Sequence, residues 1–402
     1  MTLSLGHGVD LSIDRLLTAK GTQKWTNRWR SNRCLGGAVM VIDVPMRSWW
    51  AAVIDGIDSS SERARESLSL GAGVIALAVV SVITLVVFRL QSLPIAGEAS
   101  IGQHGAIASA FVAIVAFAAG RWIVPRPRGA RRVLNVLDVV ALAVAHSVIA
   151  LLTWALAVEI LDRALIGAVI FGIPGVILAG AMGAITAYIV FQSAVRMRPA
   201  LMARVLVLFF VEGVVASMLA ASDPQWWNAD FSALGVTGDA SALTFNLTLI
   251  VAGLIITTLG RRAPLGIPTT HEHGIARVRL SLVVIGILLA LVGALPADSF
   301  YWLHTAFAVG IAVVFGVLVV LLPRWIPTMP TAFVMLGRMG IGILAVLFVL
   351  FGVGYYTLTA VELVAGSLIL TWINLFIRSA AAIRRDFADD SAVRKQRQGC
   401  AS

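Results

Sequence analysis

Long apolar runs recur along nearly the whole chain, and they restrict it to a narrow set of folds. A membrane-spanning helix needs about 20 mostly apolar residues, and about ten runs of that length follow one another. Their approximate limits are 68–90, 101–124, 134–158, 164–194, 201–221, 241–260, 278–295, 299–322, 331–354 and 358–378. Membrane β-barrels have short segments of alternating polarity, which these runs do not show. The sequence therefore predicts an all-α, polytopic transmembrane helix bundle.

The low charge content supports the same class. Only 13% of the 402 residues are charged and 59% are hydrophobic, whereas an ordinary soluble domain has about 25% charged residues. The net charge of +10 would suggest nucleic-acid binding in a soluble protein. Here the basic residues are concentrated in particular loops between apolar runs, so membrane topology explains them. We therefore expect no nucleic-acid partner.

Basic residues occupy every second loop. Arginines are dense in RMRPALMAR (196–204), in RRAPLGIPTTHEHGIARVR (261–279) and in the segment after residue 378. The alternate loops QSLPIAGEAS (91–100) and SDPQWWNADFSALG (222–235) contain neither Lys nor Arg. Loops that stay in the cytoplasm carry the excess of Lys and Arg. The pattern predicts an even number of spans in the plasma (inner) membrane of a bacterium, with both termini in the cytoplasm.

Composition divides the chain into four parts. Residues 1–67 form a polar cytoplasmic segment, interpreted either as partly disordered or as containing a misassigned gene start upstream of Met46. Residues 68–194 supply four spans, residues 195–380 supply six, and residues 381–402 form a basic cytoplasmic tail. The chain has no GxxxxGK[ST] nucleotide-binding motif, so we do not expect this chain alone to act as an ATP-driven pump.

The fourth apolar run contains a regular series of small residues. Pro174 is followed by Gly175, Ala179, Gly183 and Ala187, one small residue in every four. This spacing lines one face of a helix with small side chains, so that another backbone can approach closely. It predicts a packing seam. The run is long and is predicted to be broken by Pro174, so the alternative to a seam is a hinge or half-helix beside a transport path.

The loop 222–235 interrupts the apolar runs with two aspartates, two tryptophans and an asparagine. Adjacent tryptophans are typical of a membrane interface. The density of polar groups exceeds what a connector needs, so we predict that the loop is folded and forms the rim or lid of a polar pocket. Its candidate pocket residues are Asp223, Trp227, Asp230 and Ser232.

Polar side chains within or beside the apolar runs give the other candidates, since such groups usually face the bundle interior or a wet cavity. Glu212 lies near the middle of the fifth run, as either a hydrogen-bonded structural glutamate or a coupling carboxylate. Asp298 is predicted to cap the eighth helix, and His304 lies six residues after it, within that helix. With Asn246 of the sixth run and the loop residues, these groups predict an outward-facing pocket between the fifth, sixth and eighth spans.

Two segments of the C-terminal half carry a family resemblance. They are SDPQWWNADFSALGVTGDASALTFNLTLIVAGLIITTLG (222–260) and GALPADSFYWLHTAFA (293–308), the latter with a Pro-x-Asp turn before a histidine. This pattern resembles the prokaryotic membrane family known as domain of unknown function 998, itself distantly similar to the DRAM/Sfk-like membrane proteins. The resemblance covers roughly residues 200–380. It implies a six-helix membrane domain and brings no established activity.

Three functions fit these observations, and the first is favoured. It is a carrier or a protein that handles lipids or small molecules, with membrane lipids and a small-molecule or lipid substrate as partners. The second is an intramembrane hydrolase that uses Ser232, His304 and Asp298. The third is a non-catalytic accessory subunit of an envelope complex. We expect no cofactor and no metal site, because the histidines of the apolar runs are scattered over three of them.

Overall fold

A computed structural model describes residues 62–97, 99–123, 132–165, 169–236, 238–269 and 271–399. Most of the predicted N-terminal segment, and with it the hypothesis about Met46, lies outside the described residues. Within the described part, ten helices are long and apolar enough to cross a membrane. The predicted class, an all-α polytopic helix bundle with ten spans, is confirmed.

The helices follow the apolar runs. They are α1 (Glu62–Phe88), α2 (Ile101–Ile123), α3 (Arg132–Ala164), α4 (Gly172–Val195), α5 (Pro199–Leu219), α6 (Ala240–Arg262), α7 (Glu272–Ala294), α8 (Ala297–Trp325), α9 (Thr331–Gly352) and α10 (Leu358–Gly399). The two-residue strands β1 (Leu93–Pro94) and β2 (Val169–Ile170) pair antiparallel. Two short 3-10 helices, Trp226–Asn228 and Phe231–Gly235, lie between α5 and α6.

Several predicted boundaries differ from the structure: α1 begins at Glu62 and α7 at Glu272, each about two turns ahead of the predicted limit. The predicted break at Pro174 is wrong, because α3 continues to Ala164 and α4 begins only at Gly172. Pro174 therefore lies in the first turn of α4, where a proline removes no helical hydrogen bond. At the other end of the chain, α10 continues as a helix to Gly399, through most of the segment predicted as a basic tail.

Small residues allow α4 to pack closely against α1 and α2, as predicted. Ala179 and Ala187 are buried. A Cβ atom placed on Gly183 would lie only 2.8 Å from Cγ2 of Val80 in α1. The absence of a side chain at Gly183 therefore allows the two helices to approach closely. The prediction of a packing seam is confirmed.

A second seam, which the sequence analysis did not predict, joins α6 and α7. It is built from glycines spaced seven residues apart on each helix: Gly253, Gly260, Gly286 and Gly293. A Cβ atom on any of these glycines would lie within 3.0 Å of atoms of the facing helix. At Gly253 one of those atoms is the backbone nitrogen of Ala290, at 2.6 Å. The two backbones are therefore in direct contact.

A buried ion cluster connects the first four helices to the last six. Asp138 of α3 is 4% exposed and forms ion pairs with Arg261 and Arg262 at the end of α6. Its Oδ1 also accepts a hydrogen bond from Thr258 Oγ1 at 2.5 Å. Because α3 packs against α2, α5 and α6, it connects the two groups of helices.

Contacts between loops define two ends of the bundle. At one of them, here called the basic end, Arg196 pairs with Glu62 at 2.8 Å and Arg384 donates to the carbonyl of Ala263. This end holds the described parts of the arginine-rich loops. At the opposite end, here called the loop end, β1 pairs with β2 and the loop 222–235 is folded between the helices.

Candidate functional site

The loop 222–235 is folded and inserted into the loop end of the bundle. Asp230 caps its second 3-10 helix by accepting a hydrogen bond from the N–H of Ala233 at 2.9 Å. Leu234 is 1% exposed and packs in an apolar cluster with Phe245 of α6 and neighbouring side chains of α5, α7 and α8. The side chains beneath the loop are therefore mostly apolar.

Two of the candidate pocket residues, Ser232 and His304, are in contact. Ser232 Oγ lies 2.8 Å from His304 Nε2, and His304 Nδ1 lies 2.8 Å from the carbonyl oxygen of Leu295. A carbonyl oxygen only accepts hydrogen bonds, so Nδ1 is assigned the hydrogen; in the tautomer that carries its hydrogen on Nδ1, Nε2 accepts from the serine hydroxyl. His304 is only 6% exposed, so the contact is buried, and it holds the loop against the start of α8.

Asn246 and Glu362 hold the same 3-10 helix at its two ends. Asn246 Nδ2 donates to the carbonyl of Gly235 at 3.0 Å, and the N–H of Phe231 donates to Glu362 Oε2 at 2.7 Å. Glu362 belongs to α10 and was not among the candidate pocket residues, because a glutamate near the end of a span is an ordinary feature of a sequence. The polar groups at this end are thus engaged in holding the loop.

Asp223 and Trp227 lie on the outer side of the loop. Asp223 Oδ1 accepts a hydrogen bond from the N–H of Gln225 at 2.8 Å, a local turn contact. Trp227 is 50% exposed, as expected of a tryptophan at a membrane interface. Neither side chain forms a hydrogen bond with Ser232 or His304, all four residues being described.

The structure places Asp298 apart from His304. Its carboxylate accepts a hydrogen bond from Ser299 Oγ at 3.1 Å and makes none with His304, although the structure describes both residues. The prediction that Asp298 caps α8 is wrong, because Pro296 occupies the N-cap position and Asp298 lies in the first turn. Asp298 is therefore not the third member of a Ser–His–Asp arrangement.

Glu212 faces α3 rather than the loop. Its Oε1 accepts a hydrogen bond from Thr153 Oγ1 at 3.1 Å, while its Oε2 is buried and has no hydrogen-bond partner among the described residues. Thr153 in turn lines a large cavity. Glu212 thus lies next to a different part of the bundle from the other candidates.

That cavity is an open groove with a volume of about 900 Å³ that lies between α3, α4 and α5. Small-molecule and cofactor sites usually measure about 300–1,000 Å³. Most of its wall is apolar and comprises Ile149, Ala150, Ile185, Ile189, Val190, Val205 and Leu208. Along α5 and its N-cap the lining residues extend from Arg198 to Leu208, which is about 15 Å along a helix. This depth is about half of a 30 Å hydrocarbon core, the thickness of one leaflet.

Polar side chains in the cavity wall bond to one another across α3 and α4. His146 Nε2 lies 2.9 Å from Ser193 Oγ, and Trp154 Nε1 donates to Thr186 Oγ1 at 2.9 Å. The other ring nitrogen of His146 contacts the backbone carbonyl of Leu142 at 2.7 Å. Much of the hydrogen-bonding capacity of these groups is therefore used within the protein, and the wall remains mostly apolar for a ligand.

Positive charge gathers where the cavity reaches the basic end. The charged lining residues are Arg65, Arg196, Arg198, Arg204, Arg385 and Glu62. Glu62 is paired with Arg196 at 2.8 Å and lies 3.7 Å from Arg65. Arg198, Arg204 and Arg385 are exposed and form no ion pair with any residue that the structure describes. These three side chains are here called the arginine mouth.

Sequence reasoning did not find this cavity, although a signal for it exists. His146 and Thr153 are seven residues apart on α3, and Thr186 and Ser193 are seven apart on α4. Residues at that spacing lie on one face of a helix. A polar face on each of two consecutive apolar helices could have pointed to a shared cavity, and the segment 196–204 was used for topology alone.

Comparison of the chain with protein-family models, with curated proteins and with solved structures gave no match. The resemblance over residues 200–380 therefore stays a prediction. The fold itself defines the class, a multi-pass helical membrane protein.

Proposed function

We propose that this protein is a carrier or lipid-handling protein that binds its substrate in the cavity between α3, α4 and α5. One observation carries the proposal: a cavity of about 900 Å³ with an apolar wall and a charged opening. Helix interfaces normally close-pack, so an open groove of this volume between three helices leaves room for a ligand. We keep the function class predicted from the sequence, but we place the binding site in this cavity rather than at the loop end.

The bilayer offers a direct supply of ligand to this cavity. Ile185, Ile189 and Leu208 line it and are each about half exposed. Apolar side chains that are exposed in a membrane helix contact lipid chains. A lipid-sized amphiphile is therefore the substrate that best suits the walls and the depth of the cavity.

The proposal places both termini in the cytoplasm and the protein in the plasma membrane. The arginine-rich loops gather at one end of the bundle, and loops of that kind stay in the cytoplasm. The cavity then opens toward the cytoplasmic leaflet, in contrast to the outward-facing pocket predicted from the sequence.

Filling the cavity is expected to displace its ligand. In the double variant Ile185→Trp and Ile189→Trp, overlap costing about 1–3 kcal/mol would lower lipid occupancy roughly 5- to 150-fold. The measurement is native mass spectrometry of the purified protein, counting retained lipids. The matched control is Ile173→Trp with Ile177→Trp, two exposed positions of α4 outside the cavity. Equal lipid retention by both double variants and the wild type would contradict the proposal.

A serine hydrolase is the second candidate function. Ser232 and His304, at 2.8 Å, have the contact that a nucleophile and its general base require. The imidazole is oriented by the Leu295 carbonyl, in place of the predicted Asp298. We favour an anchoring role, because the contacts of Phe231 and Gly235 on either side also hold the loop. The accessory-subunit function stays a prediction.

A fluorophosphonate probe separates the two roles of Ser232. We expect no labelling in native membranes, and faster proteolysis of the loop 222–235 in Ser232→Ala, because an unsatisfied His304 Nε2 costs about 1–3 kcal/mol. Asn228→Ala, at an exposed position of the same loop, is the control and should leave the proteolysis rate unchanged. Labelling of the wild type that disappears in Ser232→Ala would establish the hydrolase instead.

A further inference from the structure

We infer that the ligand of the cavity is a membrane lipid with an anionic phosphodiester headgroup. The headgroup is held at the arginine mouth, and an acyl chain extends along the apolar wall toward the middle of the membrane. This inference rests on the proposed function, because it names the chemical class of the substrate that occupies the same cavity.

The acyl chain contributes little selectivity to this complex. A chain that leaves the bilayer for an apolar cavity exchanges one hydrocarbon environment for another, so the hydrophobic effect that drives burial from water is absent. Polar groups of the wall are largely paired with each other, as in the His146–Ser193 contact. The preference among lipids must therefore come from the headgroup.

The arginine mouth supplies that preference. Arg198 and Arg204 come from the start of α5 and Arg385 from α10, so two separate elements bring cationic groups to one opening. The only acidic side chain among the described lining residues, Glu62, is already paired with Arg196. Guanidinium groups bind phosphate oxygens through paired, charge-assisted hydrogen bonds. The opening thus has an excess of positive charge where a phosphate would lie.

The start of α5 adds a second source of positive potential at the arginine mouth. Ala200 and Leu201 of its first turn line the cavity, and Arg198 at the N-cap position provides no side-chain cap. The N-terminus of a helix carries a partial positive charge, which favours anions. The first residue, Pro199, has no N–H, and the N–H of Leu201 donates to the carbonyl of Arg198, so the contribution of this helix start comes from its dipole rather than from free N–H groups. The helix dipole and the side chains therefore favour negative charge at the same place.

The dimensions favour a lipid over a soluble anion. The lining extends for about 15 Å in all, the arginine mouth included, which is about the depth of one leaflet, and the part beyond the mouth is mostly apolar. A free phosphate would use the mouth and leave the rest of the cavity unfilled. A lipid would contact the arginine mouth with its headgroup and the apolar wall with its acyl chain.

Lipid exchange into nanodiscs tests the inference. The wild-type protein is placed in nanodiscs of equal parts phosphatidylglycerol and phosphatidylethanolamine, extracted in detergent and analysed by native mass spectrometry. We expect phosphatidylglycerol to be enriched on the wild type by about tenfold or more. The triple variant R198Q/R204Q/R385Q should retain lipid and lose this enrichment. The control R277Q/R279Q/R338Q removes the same charge from exposed arginines outside the cavity and should keep the enrichment.

The outcomes separate this inference from the proposed function. Lipid bound without headgroup preference, or equal enrichment on both triple variants, overturns the anionic class and leaves the cavity as a lipid site. No lipid on the wild type overturns the proposed function itself. Displacement of phosphatidylglycerol by millimolar inorganic phosphate alone also overturns the inference, since the mouth would then be a site for a free anion.

Discussion

Replacement of Gly253 by leucine is expected to separate α6 from α7 and to prevent accumulation of folded protein. A Cβ atom at this position would lie 2.6 Å from the backbone nitrogen of Ala290, and backbone cannot move aside as a flexible side chain can. Overpacking of a core typically costs about 1–3 kcal/mol, and contact with backbone places this variant at the upper end. The measurement is the fraction of detergent-extracted protein that elutes as a single symmetrical peak on gel filtration.

Gly342→Leu is the matched control for this experiment. Gly342 lies in α9, and a Cβ atom placed there would meet nothing within 4 Å. Both substitutions raise helix propensity by about 0.8–1.0 kcal/mol, so the difference between them isolates the contact between the helices. Equal yields of monodisperse protein from both variants would show that α6 and α7 are not in backbone contact.

Asp138→Ala is expected to destabilise the connection between the first four helices and the last six. It leaves Arg261 and Arg262 beside α3 without the carboxylate that both contact. Removal of one partner from a buried ion pair costs about 3–5 kcal/mol, and we expect about 3 because Arg262 is partly exposed. The change should appear as a lower midpoint temperature of thermal unfolding in detergent.

The control for Asp138 is another carboxylate of the same helix. Glu159 forms an exposed pair with Arg163 at 2.9 Å, and exposed pairs contribute about 0–1 kcal/mol. Glu159→Ala should therefore leave the unfolding midpoint nearly unchanged. If both variants unfold at the wild-type temperature, the ion cluster has no part in holding the bundle together.

The sequence alone was sufficient to predict the ten spans and one of the two packing seams. Apolar length is a direct physical requirement of the bilayer, so the ten runs could be recognised without knowing their neighbours. Small residues at every fourth position, as from Gly175 to Ala187, likewise define a face of one helix by geometry alone. The seam of α6 and α7 was harder to recognise, since its glycines are seven residues apart and each helix contributes only two.

The position of the cavity depends on which helices are neighbours, and no single stretch of the sequence contains this information. Short connections normally place consecutive helices side by side. Here α4 packs mainly against α1 and α2 and makes little contact with α3, so a space remains between α3 and α4 that α5 lines from the third side. No pattern within a single run predicts this arrangement.

The loop 222–235 misled the sequence analysis for a related reason. Its polar groups were interpreted as facing a pocket, whereas Ser232 and Asn246 bond to groups that hold the loop itself. A short 3-10 helix inserted among membrane helices has backbone groups that need partners, and side chains from α6 and α10 provide them. A sequence shows which polar groups lie in apolar surroundings, but their partners are set by the fold.

A cryo-electron microscopy map of the protein in nanodiscs containing phosphatidylglycerol tests the central claim most directly. The account predicts elongated density between α3, α4 and α5, with its head beside Arg198 and Arg204 and its tail toward Leu208. A map in which α3 and α4 close against each other, or in which the space between them holds no lipid density, would contradict it.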